Sequence, residues 1–223
     1  MTAPATLLYR PMAERDVPFV PLECQGEPAE VRERIRTAGS SALLAFHDGR
    51  CVAQLQFRPY VPGTRSPRGI HHPLYWMDYP SEMPAVLEPA LSLFCFHVGQ
   101  SENDPERRDP RYLGRCIGQE LLRQTLRWAE GHGYRAVIAK AFAPCWPVIQ
   151  YMGGMPGSVY ERHGFIELLR YQDHELRQVL DEMLLGAYGP SRLMELTREV
   201  EAGADLDALA EVRIYQRRLG REG

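Results

Sequence analysis

A chain of 223 residues, 44% hydrophobic and 25% charged, is long enough to bury a sizeable core and falls outside the disordered, collagen-like and coiled-coil compositions. A net charge of −3 lacks the basic excess of a dedicated nucleic-acid binder, so no nucleic-acid partner is expected. The five cysteines, Cys24, Cys51, Cys95, Cys116 and Cys145, are scattered and never form a C-x-x-C pair, so neither a disulfide framework nor a metal site is expected. No run approaches the roughly 18 apolar residues of a membrane span, and Met1 to Leu8 lacks a basic leader. No membrane partner is expected, and the expected location is the cytoplasm.

In chain order, Thr6 to Met12 reads as a strand and Ala29 to Thr37 as a helix stopped by Gly39. Ala42 to Phe46 and Cys51 to Phe57 flank His47-Asp48-Gly49-Arg50, the clearest hairpin signal in the chain. Pro59 to Pro89, rich in Pro, Gly, His, Tyr and Trp, reads as a long functional loop. Ala90 to Val98 is almost continuously apolar, which suits a central strand covered on both faces.

A polar stretch, Gly99 to Arg111, then leads through a Gly-containing turn into a helix ending near Glu130. Ile117, Leu121, Leu122, Thr125, Leu126, Trp128 and Ala129 share one face of that helix. Ala136 to Phe142 follows as a second buried strand. The prolines and the Gly-Gly pair break Pro144 to Gly164, leaving a short helix over Val159 to His163. Phe165 to Tyr171 reads as the last strand, and Asp173 to Leu185, Ser191 to Glu201 and Leu206 to Leu219 as helices. A boundary near residue 172 separates residues 1–172 from a helical extension over 173–223.

Two stretches carry chemistry. At the first, Gly114 and Gly118 bracket the start of a helix, whose unpaired N–H groups and aligned peptide dipoles stabilise an anionic phosphate. The second, Val159-Tyr160-Glu161-Arg162-His163-Gly164-Phe165, puts a phenol on a short helix just before a Gly-Phe strand entry. Taken alone, the two glycines are as well explained by a simple turn, and Tyr160 by packing at a helix end.

Together, in this order and with a strand between them, they resemble the GNAT superfamily of acetyl-CoA-dependent N-acetyltransferases. Tyr-Leu-Gly-Arg-Cys-Ile-Gly-Gln-Glu-Leu-Leu at 112–122 is similar to its pyrophosphate loop, Q/R-x-x-G-x-G/A before an amphipathic helix. Tyr160 to Phe165 is similar to its Y-E-x-x-G-F signature. Leu113 stands where the family has Gln or Arg and Cys116 where it has its first Gly; only Gly118 matches strictly. The resemblance covers residues 1–172 and implies an α/β (α+β) fold with a mixed, splayed central sheet flanked by helices. The helical extension would follow it.

The resemblance also implies a function: transfer of an acetyl or other acyl group from acetyl-CoA, or another acyl-CoA, directly to an amine. Leu113, Gly114, Arg115, Cys116, Ile117 and Gly118 would bind the cofactor phosphates. Backbone N–H groups near Val98 and Gly99 would polarise the thioester carbonyl, a form of oxyanion stabilisation. Tyr160 would protonate the departing CoA thiolate, a task for a phenol with a pKa of about 10.

The proton from the incoming amine needs a base, and His97 is the first candidate because an imidazole titrates near neutrality. Strand alternation sets residue 97 on the face opposite residues 92, 94, 96 and 98, so a buried structural histidine is the competing reading. Glu82, Glu88, Asp78 and the pair His71 and His72 are rivals for the role. His72, Tyr75, Trp76 and Asp78 combine imidazole, aromatic rings and a carboxylate, which suits the pocket of a small-molecule or peptide amine acceptor held by cation–π contacts.

Arg107, Arg108, Arg111 and Arg115 stand beside the phosphate turn, balanced by Glu102, Asp104, Glu106 and Asp109. The apolar residues of the C-terminal helices suit either folding back on the core or a homodimer contact. The alternative to an enzyme is a non-catalytic CoA- or nucleotide-binding, or partner-binding, module.

Overall fold

The computed structural model describes residues 7–63, 70, 75, 78–100 and 108–220. The chain forms two compact units: Met1–Val61, Leu87–Val137 and Arg218–Gly223 make the first, Pro62–Val86 and Ile138–Arg217 the second.

In the first unit, β1 (Leu8–Pro11), β2 (Ala42–His47), β3 (Arg50–Pro59) and β4 (Ala90–Val98) pair antiparallel in that order. The β2–β3 hairpin turns at Asp48 (φ 49°) and Gly49 (φ 77°), the paired positive angles of a type I′ turn that match strand twist. Between β1 and β2 lies α1 (Pro28–Ala38), with Pro28 in its first turn and Gly39 ending it at φ 84°, where the glycine N–H closes on Ile35 O at 2.9 Å. Met12, Val17, Val20, Val31, Ile35, Ala42, Leu44 and Cys51 form one apolar core of this unit.

The long helix α2 (Ile117–Gly131) buries Ile117, Gly118, Leu121, Leu122, Thr125, Leu126, Trp128 and Ala129, the face its periodicity predicts. Trp128 packs its ring 4.7 Å from that of Phe57 on β3. Phe57 of β3 thus serves α2, while alternation turns the polar Gln54 and Gln56 to the opposite side. Both glutamines are fully buried there.

β5 (Ala136–Phe142) starts in the first unit and continues in the second, with every residue buried. It is followed by α3 (Trp146–Met152), β6 (Met155–Pro156), α4 (Gly157–Arg162), β7 (Ile166–Gln172), α5 (His174–Leu184), α6 (Pro190–Glu201), α7 (Leu206–Leu209) and β8 (Glu211–Arg218). β6 pairs parallel with β5, and β7 antiparallel with β8, which lies between β5 and β7. Parallel and antiparallel pairing in an open sheet flanked by helices is the mixed α/β class expected. Among the described residues no helix is long and apolar enough to cross a membrane.

Two local expectations are corrected. Pro147 does not interrupt a helix; it occupies the first turn of α3, where a missing N–H costs nothing. The expected helix over Leu206 to Leu219 is a single turn, α7, followed by the strand β8. Val212, Ile214, Tyr215 and Gln216 of β8 are buried, and β-branched or aromatic side chains at three of these positions fit a pleated surface. The expected boundary near residue 172 falls inside the second unit, between β7 and α5.

Candidate functional site

The phosphate turn forms as a left-handed corner. Leu113 is extended (φ −72°, ψ 148°), Gly114 has φ 69°, and Cys116, the N-cap of α2, has φ 57° and ψ 16°. A Cβ added at Gly114 would meet nothing within 4 Å, so this glycine serves backbone conformation and not close packing. Gly114, Arg115 and Cys116 are exposed, and Ile117 and Gly118 are buried. The Cys116 side chain makes no cap hydrogen bond, so the N-cap residue itself does not claim the first N–H groups of α2.

Two cavities of the first unit adjoin this corner. One, of 310 Å³, is lined by Leu7, Tyr9, His47, Arg111, Tyr112, Arg115 and Ile117. The other, of 220 Å³, is lined by His47, Asp48, Arg50, Val52, Gly99, Asp109, Arg111 and Tyr112. His47 Nδ1 and the Tyr112 hydroxyl share a hydrogen bond of 2.6 Å that fixes the wall common to both. Arg111 lies fork-on to Asp109, with contacts of 2.6 to 3.1 Å, and this pairing holds the Asp109 carboxyl below the usual carboxylate range. The cofactor residues expected at 113–118 therefore stand together beside basic side chains.

Gly99 is differently occupied. Its N–H donates to Val52 O at 2.8 Å, its C=O accepts from Asp109 N at 2.8 Å, and a Cβ there would lie 2.8 Å from Asp109 O. Glycine is required by that close approach, at φ 78°. Val98, just before it, is half-buried at the end of β4.

His97 is 4% exposed and faces Gln54, its register partner, on the polar side of the sheet. Its Nδ1 lies 2.6 Å from Gln100 Oε1, and Gln100 Nε2 donates to Glu23 Oε2 at 2.7 Å. The loop carrying Glu23 is pinned over β3 and β4 by side-chain bonds: Gln54 to Pro21 O at 2.9 Å, Gln56 to Glu23 O at 2.8 Å, and Arg58 to Gln25 O at 2.9 Å. These bonds bring Cys24, at φ 64°, down beside β4. The Cys24 and Cys95 sulfurs and a ring nitrogen of His97 lie within 4.8 Å of one another. The Cys24 thiol is held below the ordinary thiol range, chiefly by its hydrogen bond with Cys95 and further by His97, with burial opposing; the Cys95 thiol is pushed up in return. Sequence reasoning singled out His97 and missed both cysteines.

In the second unit, Tyr160 is 2% exposed on α4, with ring centroids 5.2 Å from Phe165 and 5.9 Å from Tyr215. The Tyr215 hydroxyl donates to Glu161 Oε1 at 2.8 Å, and its pKa is pushed up to about 12, chiefly by burial. Beside α4 a cavity of 480 Å³ is lined by Phe142, Gly157, Ser158, Glu161 and Arg213, among others.

Tyr75 and Asp78, two of the expected acceptor residues, line one cavity of 420 Å³ with Tyr79, Glu82, Tyr171, Asp173 and Glu175. His72 and Trp76, like His71, lie outside the described residues. The Tyr75 hydroxyl donates to Asp173, which also caps α5 by accepting from Glu175 N and Leu176 N at 3.0 Å. Behind this wall sits Lys140, the only lysine of the chain, 1% exposed on β5. Its Nζ donates to Tyr75 O at 2.7 Å and Asp78 O at 2.8 Å and lies 3.8 Å from the Tyr75 ring centroid. Burial lowers its pKa to about 7.

No protein-family model matches the chain, and no curated protein matches it. Among solved structures it is similar to the acetyltransferase of the GNAT family from Streptococcus pneumoniae, at 15% identity and a TM-score of 0.49, over 96% of this chain and 100% of that one. It is similar also to an N-acetyltransferase from Staphylococcus aureus Mu50, at 12% identity and 0.49, over 96% and 99%. A third is a GNAT-like decarboxylase in complex with isobutyryl-CoA, at 16% identity and 0.49, over 96% and 100%. Those names describe those proteins; what this chain does rests on its own residues.

Proposed function

We propose that the chain is a cytoplasmic N-acyltransferase that moves an acetyl or similar acyl group from acyl-CoA directly to an amine. The observation that carries this reading is the start of α2. A 15-residue helix presents its uncapped N-terminus at a left-handed corner, beside a 310 Å³ cavity lined by Arg111 and Arg115. Backbone N–H groups, the helix dipole and the Arg115 guanidinium, with Arg111 beside it paired to Asp109, are the components of a polyphosphate site. The order of this corner, the strand β5 and the Tyr160 to Phe165 segment adds the GNAT resemblance to the same reading.

In the reaction, the amine nitrogen attacks the thioester carbonyl carbon and forms the C–N bond, the C–S bond breaks, the CoA thiolate takes a proton from Tyr160, and the proton the amine gives up to water restores the Tyr160 phenol. The 420 Å³ cavity supplies the acceptor preference. Asp78, Glu82 and Glu175 beside Tyr75, Tyr79 and Tyr171 favour a cationic amine through charge and ring faces.

Calorimetry with acetyl-CoA, then CoA release against a panel of polyamines, amino acids and neutral amines, tests this. Arg115→Ala should weaken acetyl-CoA about 10-fold through a lost charge-assisted contact. Tyr160→Phe should keep binding and lower turnover by about 10²-fold. A wild type that binds acetyl-CoA but acylates no amine would be a binding module, and one that does not bind it overturns the site.

A further inference from the structure

The pinned loop over β3 and β4 leaves a group that acyl transfer does not use. Two thiols and an imidazole converge there from Cys24 on the loop and from Cys95 and His97, two positions apart on the same face of β4. Zinc binds sulfur at about 2.3 Å and nitrogen at about 2.0 Å, so ligand atoms around one ion stand roughly 3.5 to 4 Å apart. A set already within 4.8 Å closes on an ion by side-chain adjustment alone.

The hydrogen bonds around His97 select the nitrogen that would bind. Glu23 can only accept, so the Gln100 amide nitrogen faces it and the amide oxygen faces His97. Nδ1 must then carry a proton, so in the neutral tautomer it is Nε2 that offers the lone pair. That nitrogen is buried and has no hydrogen-bond partner among the described residues. Leaving such an atom unsatisfied is costly, and packing alone does not explain it. An imidazole oriented by an amide oxygen, itself oriented by a carboxylate, is the outer support that metal-bound histidines use.

We infer that Cys24, Cys95 and His97 Nε2 form a zinc site, with the fourth position left to water or a small ligand. Two thiolates with one imidazole suit a borderline-soft d¹⁰ ion and do not suit magnesium or calcium. In this assignment His97 is a ligand in place of the proton acceptor that sequence alone suggests. The site stands independently of the acyl-CoA reading, since its test reads metal and not turnover.

The test uses the full chain, reduced, stripped with chelator and titrated with Zn²⁺ and then Co²⁺. One equivalent of zinc by elemental analysis is expected, with the ligand-field bands of four-coordinate cobalt and a thiolate-to-cobalt charge-transfer band. Cys24→Ser should weaken metal binding at least 100-fold and diminish the charge-transfer band, and Cys116→Ser, at an exposed cysteine elsewhere, should change neither. Gln100→Ala, which removes only the outer support, should weaken binding about 10- to 100-fold with the fold intact by circular dichroism. A folded, reduced wild type without stoichiometric metal overturns the inference. So does equal cobalt binding by Cys24→Ser and Cys116→Ser, or a metal-free chain isolated with Cys24 and Cys95 joined in a disulfide.

Discussion

Asp16 shows how much one side chain can organise. Arg10 Nη1 and Nη2 donate to its two oxygens at 2.6 Å each, and one oxygen also accepts from Ala13 N at 2.8 Å, capping the 3₁₀ turn that precedes α1. Burial alone would raise its pKa, but the Arg10 bond and the Ala13 N–H outweigh it, and the carboxyl is held below its ordinary value. A carboxylate whose folded pKa is depressed contributes stability that is present above its unfolded pKa and lost as pH falls through the folded one. Asp16→Asn should therefore lower unfolding stability by about 1–3 kcal/mol in urea at pH 7, and the gap from wild type should shrink in acid. A gap that persists unchanged at pH 2 would assign the loss to packing. At this scale the sequence was partly legible. His97 stood out because an imidazole on an otherwise apolar strand is chemically unusual. Cys24 and Cys95 did not, because only the glutamine-pinned loop, a tertiary feature, carries one to the other.

Among the elements, α2 was the most readable, since a 3.6-residue period and flanking glycines suffice to define an amphipathic helix and its limits. Its N-cap was less readable: nothing in the residue type announces that Cys116 adopts φ 57°. An L-residue with a side chain in that conformation costs roughly 1–2 kcal/mol, while glycine costs about 0.5–1 kcal/mol of extra unfolded-state entropy. Cys116→Gly should accordingly leave the midpoint of chemical unfolding unchanged or raise it by up to ~1 kcal/mol equivalent, and should tighten acetyl-CoA by opening the corner. Weaker binding in this variant would mean that the thiol itself contacts the ligand. β8 was misread for a different reason. Leu206, Ala208 and Leu209 begin a helical pattern that the buried Val212, Ile214 and Tyr215 end. A four-residue helix merges with a following strand in any window wide enough to detect periodicity.

For the whole molecule, the consequence is that the last segment is not an appendage. β8 is one of the strands of the second unit, and it hydrogen-bonds β7 from Ile166↔Gln216 to Gln172↔Glu211. Truncation after Ala210 would remove buried Val212, Ile214 and Tyr215 and leave β7 with an open edge. The shortened chain should aggregate or lose cooperative unfolding by light scattering and circular dichroism, and a monomeric, cooperatively folding product would show that the strand is dispensable. Sequence conveyed the class of this molecule because its longest elements are strongly patterned. It did not convey how strands distant in sequence share a unit, since that depends on pairing that no single segment encodes. The enclosed Lys140 adds a different kind of consequence. With its pKa lowered to about 7, this amine is largely uncharged at mildly alkaline pH and would be a fast target for acylating reagents if they could reach it. At 1% exposure it meets them only when the structure opens. As the sole side-chain amine, it gives the chain an internal clock: the mass gained there from an amine-reactive ester counts openings of β5, with no other lysine to blur the reading.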